Sequence, residues 1–172
     1  RHAKAVNFGI VYGISEFSLA QDIGVSRAEA KAYIDSYLEK YSGVRAYMHD
    51  IKETAREKGY VETIFGRRRA IPEIKSLNFN VRSGAERIAL NTPVQGSAAD
   101  IIKLAMVRVF HALEGLQARL LLQVHDELIV ECPQEEAQQG MQIVTNEMEH
   151  AAALRVPLVA EAKQGESWYA AK

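Results

Sequence analysis

The chain has 172 residues, 48% of them hydrophobic and 25% charged, with a formal net charge of −1, the balance of an ordinary globular protein. Eleven Gly and four Pro exclude a collagen-like or low-complexity chain, and no apolar run reaches the ~18 to 20 residues that span a bilayer, so no membrane association is expected. Cys132 stands alone and cannot close an internal disulfide, and no signal-like leader opens the chain, so a reducing, cytoplasmic setting is expected.

In chain order, the segment from Arg1 reads as a helix that ends at Gly13, a good residue for the left-handed position after a helix. Ser15 is placed to cap a short helix closed by Gly24. Ser26 and Glu29 have capping-box spacing, followed by Ala30, Tyr33, Ile34, Tyr37, Leu38 and Tyr41 at helical spacing. A break is expected at Ser42-Gly43, then a helix over about 44–58. Tyr60 to Phe65 is β-rich and turns at Gly66 into a basic turn, Arg67-Arg68-Arg69. A helical region from about Phe79 to Leu113 is expected to be interrupted near Pro93 and Gly96. Leu120–Val124 and Leu128–Glu131 read as buried strands of a hairpin whose tip holds His125, Asp126 and Glu127. A helix over about 135–153 follows, and Val156–Ala160 reads as an edge strand because it holds Pro157. Helices come mostly first and strands mostly late, so the expected fold class is α+β.

Net charge hides an asymmetry. Residues 1–111 hold 17 Lys and Arg against 12 Asp and Glu, whereas residues 112–172 hold 4 against 10. The split suits a basic portion facing an anion and an acidic portion facing a cation, although two solvated surfaces have the same composition. Within the basic portion, Lys4, Phe8 and Tyr12 recur at i, i+4 and i+8, placing a cation and two rings on one helical stripe. Such a row suits a nucleoside triphosphate, and Gly9 and Gly13 would let a base pair approach the backbone. A core-facing aromatic stripe with a solvated lysine has the same spacing.

The full string Arg1-His2-Ala3-Lys4-Ala5-Val6-Asn7-Phe8-Gly9-Ile10-Val11-Tyr12-Gly13 resembles the fingers-helix motif of family A DNA polymerases. The resemblance implies that Lys4 binds the incoming dNTP and protonates the leaving pyrophosphate, that Phe8 packs on the sugar, and that Tyr12 stacks at the templating position. The family's first arginine falls just ahead of Arg1, so Arg1 is not credited with its role.

Arg87, Asn91 and Gln95 form a second i, i+4, i+8 row. Donor side chains in a row suit the DNA minor groove, where every Watson–Crick pair offers similar acceptors; an exposed polar stripe is the plainer alternative. The stretch from Glu86 to Lys103 resembles the palm helix of the same family, which implies contacts from these three residues to template-primer DNA. The arginines at 67–69 are equally readable as phosphate contacts or as a solvated loop.

Asp126 and Glu127 supply hard oxygen ligands of the kind Mg²⁺ takes, one or two carboxylates with waters and phosphates, and a polar hairpin turn has the same composition. Gln123-Val124-His125-Asp126-Glu127-Leu128 is similar to the family's palm motif. That similarity implies Asp126 as a metal ligand, Glu127 close by in a smaller role and His125 at the primer end. Two-metal chemistry needs a further carboxylate, which the family supplies from a D-x-S-x-x-E-x-R motif upstream of the fingers helix; no such string occurs between Arg1 and Lys172.

The resemblance therefore implies a DNA-directed DNA polymerase acting in replication and repair, with residues 1–65 as a fingers portion and 66–172 as a palm portion. The chain opens on Arg1 and first reaches a methionine at Met48, so an incomplete polymerase domain is expected, catalytically silent by itself. The complete enzyme is expected to be a monomer using two Mg²⁺ ions, primer-template DNA and dNTPs. A single-subunit RNA polymerase, a non-catalytic DNA-binding module and a generic helical interaction domain are the rival readings.

Overall fold

The computed structural model describes residues 2–171; Arg1, expected at the head of the first helix, lies outside them. The chain divides into two compact units, Arg1–Ser97 and Ala98–Lys172.

In the first unit, helix α1 spans His2–Val11, α2 Glu16–Ile23 and α3 Arg27–Lys40. Local chemistry sets their ends. The Ser15 hydroxyl accepts from the Ser18 N–H at 3.1 Å, and Gly24 closes α2 at φ +70°. Ser26 and Glu29 form the expected capping box at the head of α3. Bonds from the Ser26 hydroxyl and N–H hold the Glu29 carboxyl below the usual carboxylate range. Leu19, Ile23 and Ala30 are buried, with Val6, Ile14, Ala20, Val25 and Ile34 packed around them. The tyrosine stripe of α3 is largely solvent-facing: Tyr33 and Tyr41 are exposed, and the Tyr37 ring lies 4.7 Å from that of Tyr41.

Helix α4 spans Ser42–Lys58, so the break falls at Tyr41, whose φ −107° and ψ 63° leave the helical region, and Gly43 lies inside α4. Gly59, at φ +76°, ends α4 and leads into an antiparallel hairpin of β1 (Tyr60–Glu62) and β2 (Arg68–Ala70). The arginines expected in a turn are therefore mostly strand residues: Arg68 and Arg69 pair with Glu62 and Val61, and the turn is centred on Gly66 at φ +78°. A 3₁₀ turn over Pro72–Lys75 precedes α5 (Phe79–Ala112). Ala55, Val61, Ile71, Ile74, Ala85 and Ala89 form the core of this region.

Helix α5 runs 34 residues through Pro93 and Gly96 without the expected interruption. Proline removes one donor from the ladder, the one that would bond the Ala89 carbonyl, and hydroxyls bond carbonyls on either side of it. Thr92 Oγ1 donates to the Ile88 carbonyl at 2.7 Å, Ser97 Oγ to the Pro93 carbonyl, and Tyr47 Oη to the Leu90 carbonyl at 3.0 Å.

The second unit holds strands β3 (Arg119–Val124) and β4 (Glu127–Glu131), paired antiparallel with an irregularity between Leu120 and Leu122. Contrary to the expectation of buried strands, Leu121 and Leu122 are exposed. Leu120, Leu128 and Val130 instead pack with Val109, Leu113 and Ala118, and with Ile143, Val144 and Met148 of α6 (Ala137–Glu149). The Glu136 carboxylate accepts from the N–H groups of Gln117 and Ala118 and anchors the entry to β3. Helix α6 ends before residue 153, and Val156–Ala160 forms no strand. Pro157 lacks a donor, Val156 and Val159 are exposed, and the Ala160 N–H goes to the Glu149 carboxylate at 3.1 Å instead of a ladder.

Candidate nucleotide and nucleic-acid site

The stripe of α1 forms as its spacing dictates. Lys4 and Phe8 are exposed, Tyr12 lies just past the end of the helix, and Lys4 Nζ is 5.8 Å from the centroid of the Phe8 ring. The Phe8 and Tyr12 centroids are 6.3 Å apart and their planes differ by 33°. Half of Phe8 and 36% of Tyr12 remain accessible, so these rings are not core residues. The row thus presents an ammonium and two ring faces to solvent, chemistry suited to a phosphate, a sugar and a base.

The helix is held by a specific terminus. The Gly13 N–H donates to Ile10 O at 2.9 Å and the Ile14 N–H to Gly9 O at 2.8 Å, the paired bonds of a Schellman cap, with Gly13 at φ +77°. A Cβ on Gly13 would lie 2.9 Å from Leu90 Cδ1 and 3.6 Å from Arg87 Cγ, so the end of the first row abuts the start of the second. Gly9 is not an opening for a base pair as expected: a Cβ there would meet Ile14 Cγ2 at 3.1 Å, because Ile14 folds back over it. Sequence reasoning also missed the bond from Tyr37 Oη to Asn7 Oδ1 at 2.7 Å, which ties α3 to the residue beside Phe8. Partners thirty positions apart leave no periodic trace.

On α5, Arg87 and Gln95 are exposed, and Asn91 is partly covered. Asn91 Oδ1 is buried and accepts no hydrogen bond, an arrangement that costs ~1–3 kcal/mol in an ordinary packing residue. The basic triplet divides by function. Arg67 donates to the Gly96 carbonyl at 3.0 Å, Arg68 pairs with Glu62 at 2.7 Å and stacks 4.7 Å from the Tyr60 ring centroid, and Arg69 is exposed. Hydrogen bonding to Glu62 raises Arg68 above the usual arginine pKa.

In the second unit, β3 and β4 meet with Val124 opposite Glu127, so the tip is a two-residue turn of His125 and Asp126, and Glu127 opens β4. His125 has φ +54°, the one positive value at a non-glycine among the described residues. Turns of this length favour Gly, Asn or Asp at such a position, so a histidine there marks backbone strain at a candidate site. Gln123 Nε2 donates to the His125 carbonyl at 2.8 Å and braces the turn. His125, Asp126 and Glu127 are all exposed. Their donor set fits a divalent hard cation as a partial site: a carboxylate free of protein partners at a braced turn, with an adjacent carboxylate entering a strand. No group of three or more metal-binding side chains occurs among the described residues, so further ligands to such an ion would be waters, substrate phosphates or residues outside this chain.

The model for "DNA polymerase family A" matches residues 1–170. The DNA polymerase I of Bacillus subtilis strain 168 is 59% identical over the whole of this chain, and that of Streptococcus pneumoniae TIGR4 is 53% identical over the same extent. The chain spans about a fifth, 20%, of the length of these curated relatives. Among solved structures, the POL domain of Pol1 from M. smegmatis, in complex with DNA primer-template and dNTP, matches at a TM-score of 0.95 and 47% identity, over 99% of this chain and 30% of that one.

Proposed function

Because the chain belongs to DNA polymerase family A, we propose that the protein of which it forms part extends DNA primers, adding nucleotides from dNTPs to a 3′-hydroxyl under the direction of a template. The observation that carries this reading is the exposed Lys4, Phe8 and Tyr12 stripe, whose end abuts Arg87 on the neighbouring helix. Residues 1–65 act as the fingers portion and 66–172 as the palm portion.

The steps of the reaction fall to these side chains. Lys4 pairs with the triphosphate and gives a proton to the departing pyrophosphate, which neutralises charge as the P–O bond breaks. Phe8 covers the sugar and Tyr12 the template position. Arg87, Asn91 and Gln95 donate to purine N3 and pyrimidine O2, atoms common to all correct pairs, and so test shape without reading sequence. Asp126 would hold a divalent cation, Mg²⁺ on the chemistry of its donors, with Glu127 close by and His125 against the primer end. When bound, such ions stabilise the attacking and leaving oxygens of an in-line displacement.

In the complete polymerase, Asp126→Asn should lower turnover by about a thousandfold or more, the loss of roughly 4 kcal/mol of transition-state stabilisation, while primer-template affinity stays within about twofold. Single-turnover incorporation and a DNA-binding titration measure the two; retained turnover removes the metal assignment. The same assay with ribonucleotides separates this reading from an RNA polymerase, since deoxynucleotides are the expected substrates.

A further inference from the structure

We propose that the turn of the β1–β2 hairpin is a clamp that sets the position of Gln95, with Thr63, Arg67 and Ser97 as positioning residues. The inference rests on the reading of Gln95 as a minor-groove contact and adds to it the part of the molecule that holds Gln95 in register.

The need for a clamp begins at Pro93. Its missing N–H leaves the Ala89 carbonyl without its ladder bond, and its ring crowds that carbonyl, so the turn that leads into Gln95 is one bond short of an ordinary helix. Two ties cross from the hairpin to the helix beside Gln95, and one bond within the helix relays them. Arg67 Nη2 donates to Gly96 O at 3.0 Å, the Ile64 N–H donates to Ser97 Oγ at 3.0 Å, and the Ser97 hydroxyl passes the chain on by donating to Pro93 O. The hairpin turn is itself locked. Thr63 Oγ1 accepts from the N–H groups of Phe65 and Arg67 at 3.3 and 3.2 Å, and the Thr63 N–H donates to Arg67 O at 3.0 Å.

Gly96 is the seat of the contact. A Cβ at this position would lie 2.7 Å from Thr63 Cγ2 and 3.3 Å from Arg67 Nη2, closer than packed atoms sit, so the hairpin reaches the helix only because residue 96 has no side chain. Thr63 and Ser97 are buried, at 5% and 7% exposure, whereas Gln95, between the tied residues Pro93 and Gly96, is exposed. A backbone fixed on both sides beneath a free donor side chain is the arrangement a shape-testing hydrogen bond requires, since a small displacement of the donor forfeits the bond.

The test uses the complete polymerase and a primer-template whose terminal purine carries N3 or its 3-deaza replacement, which lacks the acceptor. Wild-type enzyme should incorporate about tenfold more slowly on the 3-deaza end, the effect of one hydrogen bond, and Gln95→Ala should abolish that difference. Gly96→Ala and Arg67→Ala should also shrink the difference toward onefold, with DNA affinity within about twofold of wild type. Adding Thr63→Ser to Gly96→Ala removes the Cγ2 that the new methyl meets while keeping the hydroxyl, and should restore the difference. Arg67→Lys, which keeps the charge but not the fork, should fall between Arg67→Ala and wild type and provides a variant that does not crowd the helix. If the Gly96 and Arg67 variants keep the full 3-deaza difference while Gln95→Ala loses it, the clamp is wrong and the minor-groove reading stands. If Gln95→Ala keeps it, the minor-groove reading fails and the clamp fails with it.

Discussion

Gly13 illustrates how a single residue joins backbone conformation to a candidate binding surface. Its φ of +77° allows the capping bonds at the end of α1, and its bare Cα admits Leu90 from α5. Alanine there meets both a strained dihedral and a methyl contact of 2.9 Å, so Gly13→Ala should cost about 1–3 kcal/mol in urea unfolding followed by far-UV circular dichroism. The same change should raise the KM for dNTP in the complete polymerase, because Tyr12 precedes it directly. His125 carries a related strain at φ +54°, next to the carboxylate assigned to the cation. Both positions were legible as residues of interest, Gly13 from its place after a helical stripe and His125 from its place beside Asp126, but the dihedral that makes them costly to alter is visible only in the fold.

Helix α5 shows at the scale of an element how a proline is accommodated without a break. Interruption is the reasonable expectation from Pro93 and Gly96, since proline removes a donor and glycine weakens a helix. The helix nonetheless runs unbroken, and hydroxyls bond carbonyls around the proline, among them that of Tyr47 at 3.0 Å from Leu90 O. Burial holds the Tyr47 phenol above the usual tyrosine pKa, which keeps it a neutral donor. Tyr47→Phe should therefore lower stability by about 1 kcal/mol, measured by urea unfolding at neutral pH. Because the folded pKa is raised, this contribution is fully present below the ordinary tyrosine value and disappears as pH rises through the folded one. Wild type and Tyr47→Phe should accordingly converge in stability at strongly alkaline pH; a gap that stays constant there would assign the effect to packing.

For the whole molecule, the α+β class, the capped helices and the hairpin that carries Asp126 follow from spacing and turn chemistry, which act within about one helical turn or one strand pair, whereas the pairing of Arg68 and Arg69 with β1 does not. The proposed two-metal reading needs a carboxylate beyond Asp126 and Glu127, from a D-x-S-x-x-E-x-R string that does not occur in this sequence, and on that reading the 172-residue protein, purified free of host polymerase, should incorporate no nucleotide with Mg²⁺. Radiolabelled primer extension checks this, with the complete enzyme as the positive control. The sequence by itself determined the family through motifs in order, the placement of Lys4, Phe8 and Tyr12 on one stripe, and the carboxylates at a hairpin tip. Only the tertiary structure decided that Gly9 is covered by Ile14, that Arg67 and Arg68 bind within the protein while Arg69 stays exposed, and that Val156–Ala160 forms no strand. Each of those outcomes depends on partners four or more residues away whose approach is set by packing. Periodicity records which face a residue occupies; it holds no record of what arrives against that face.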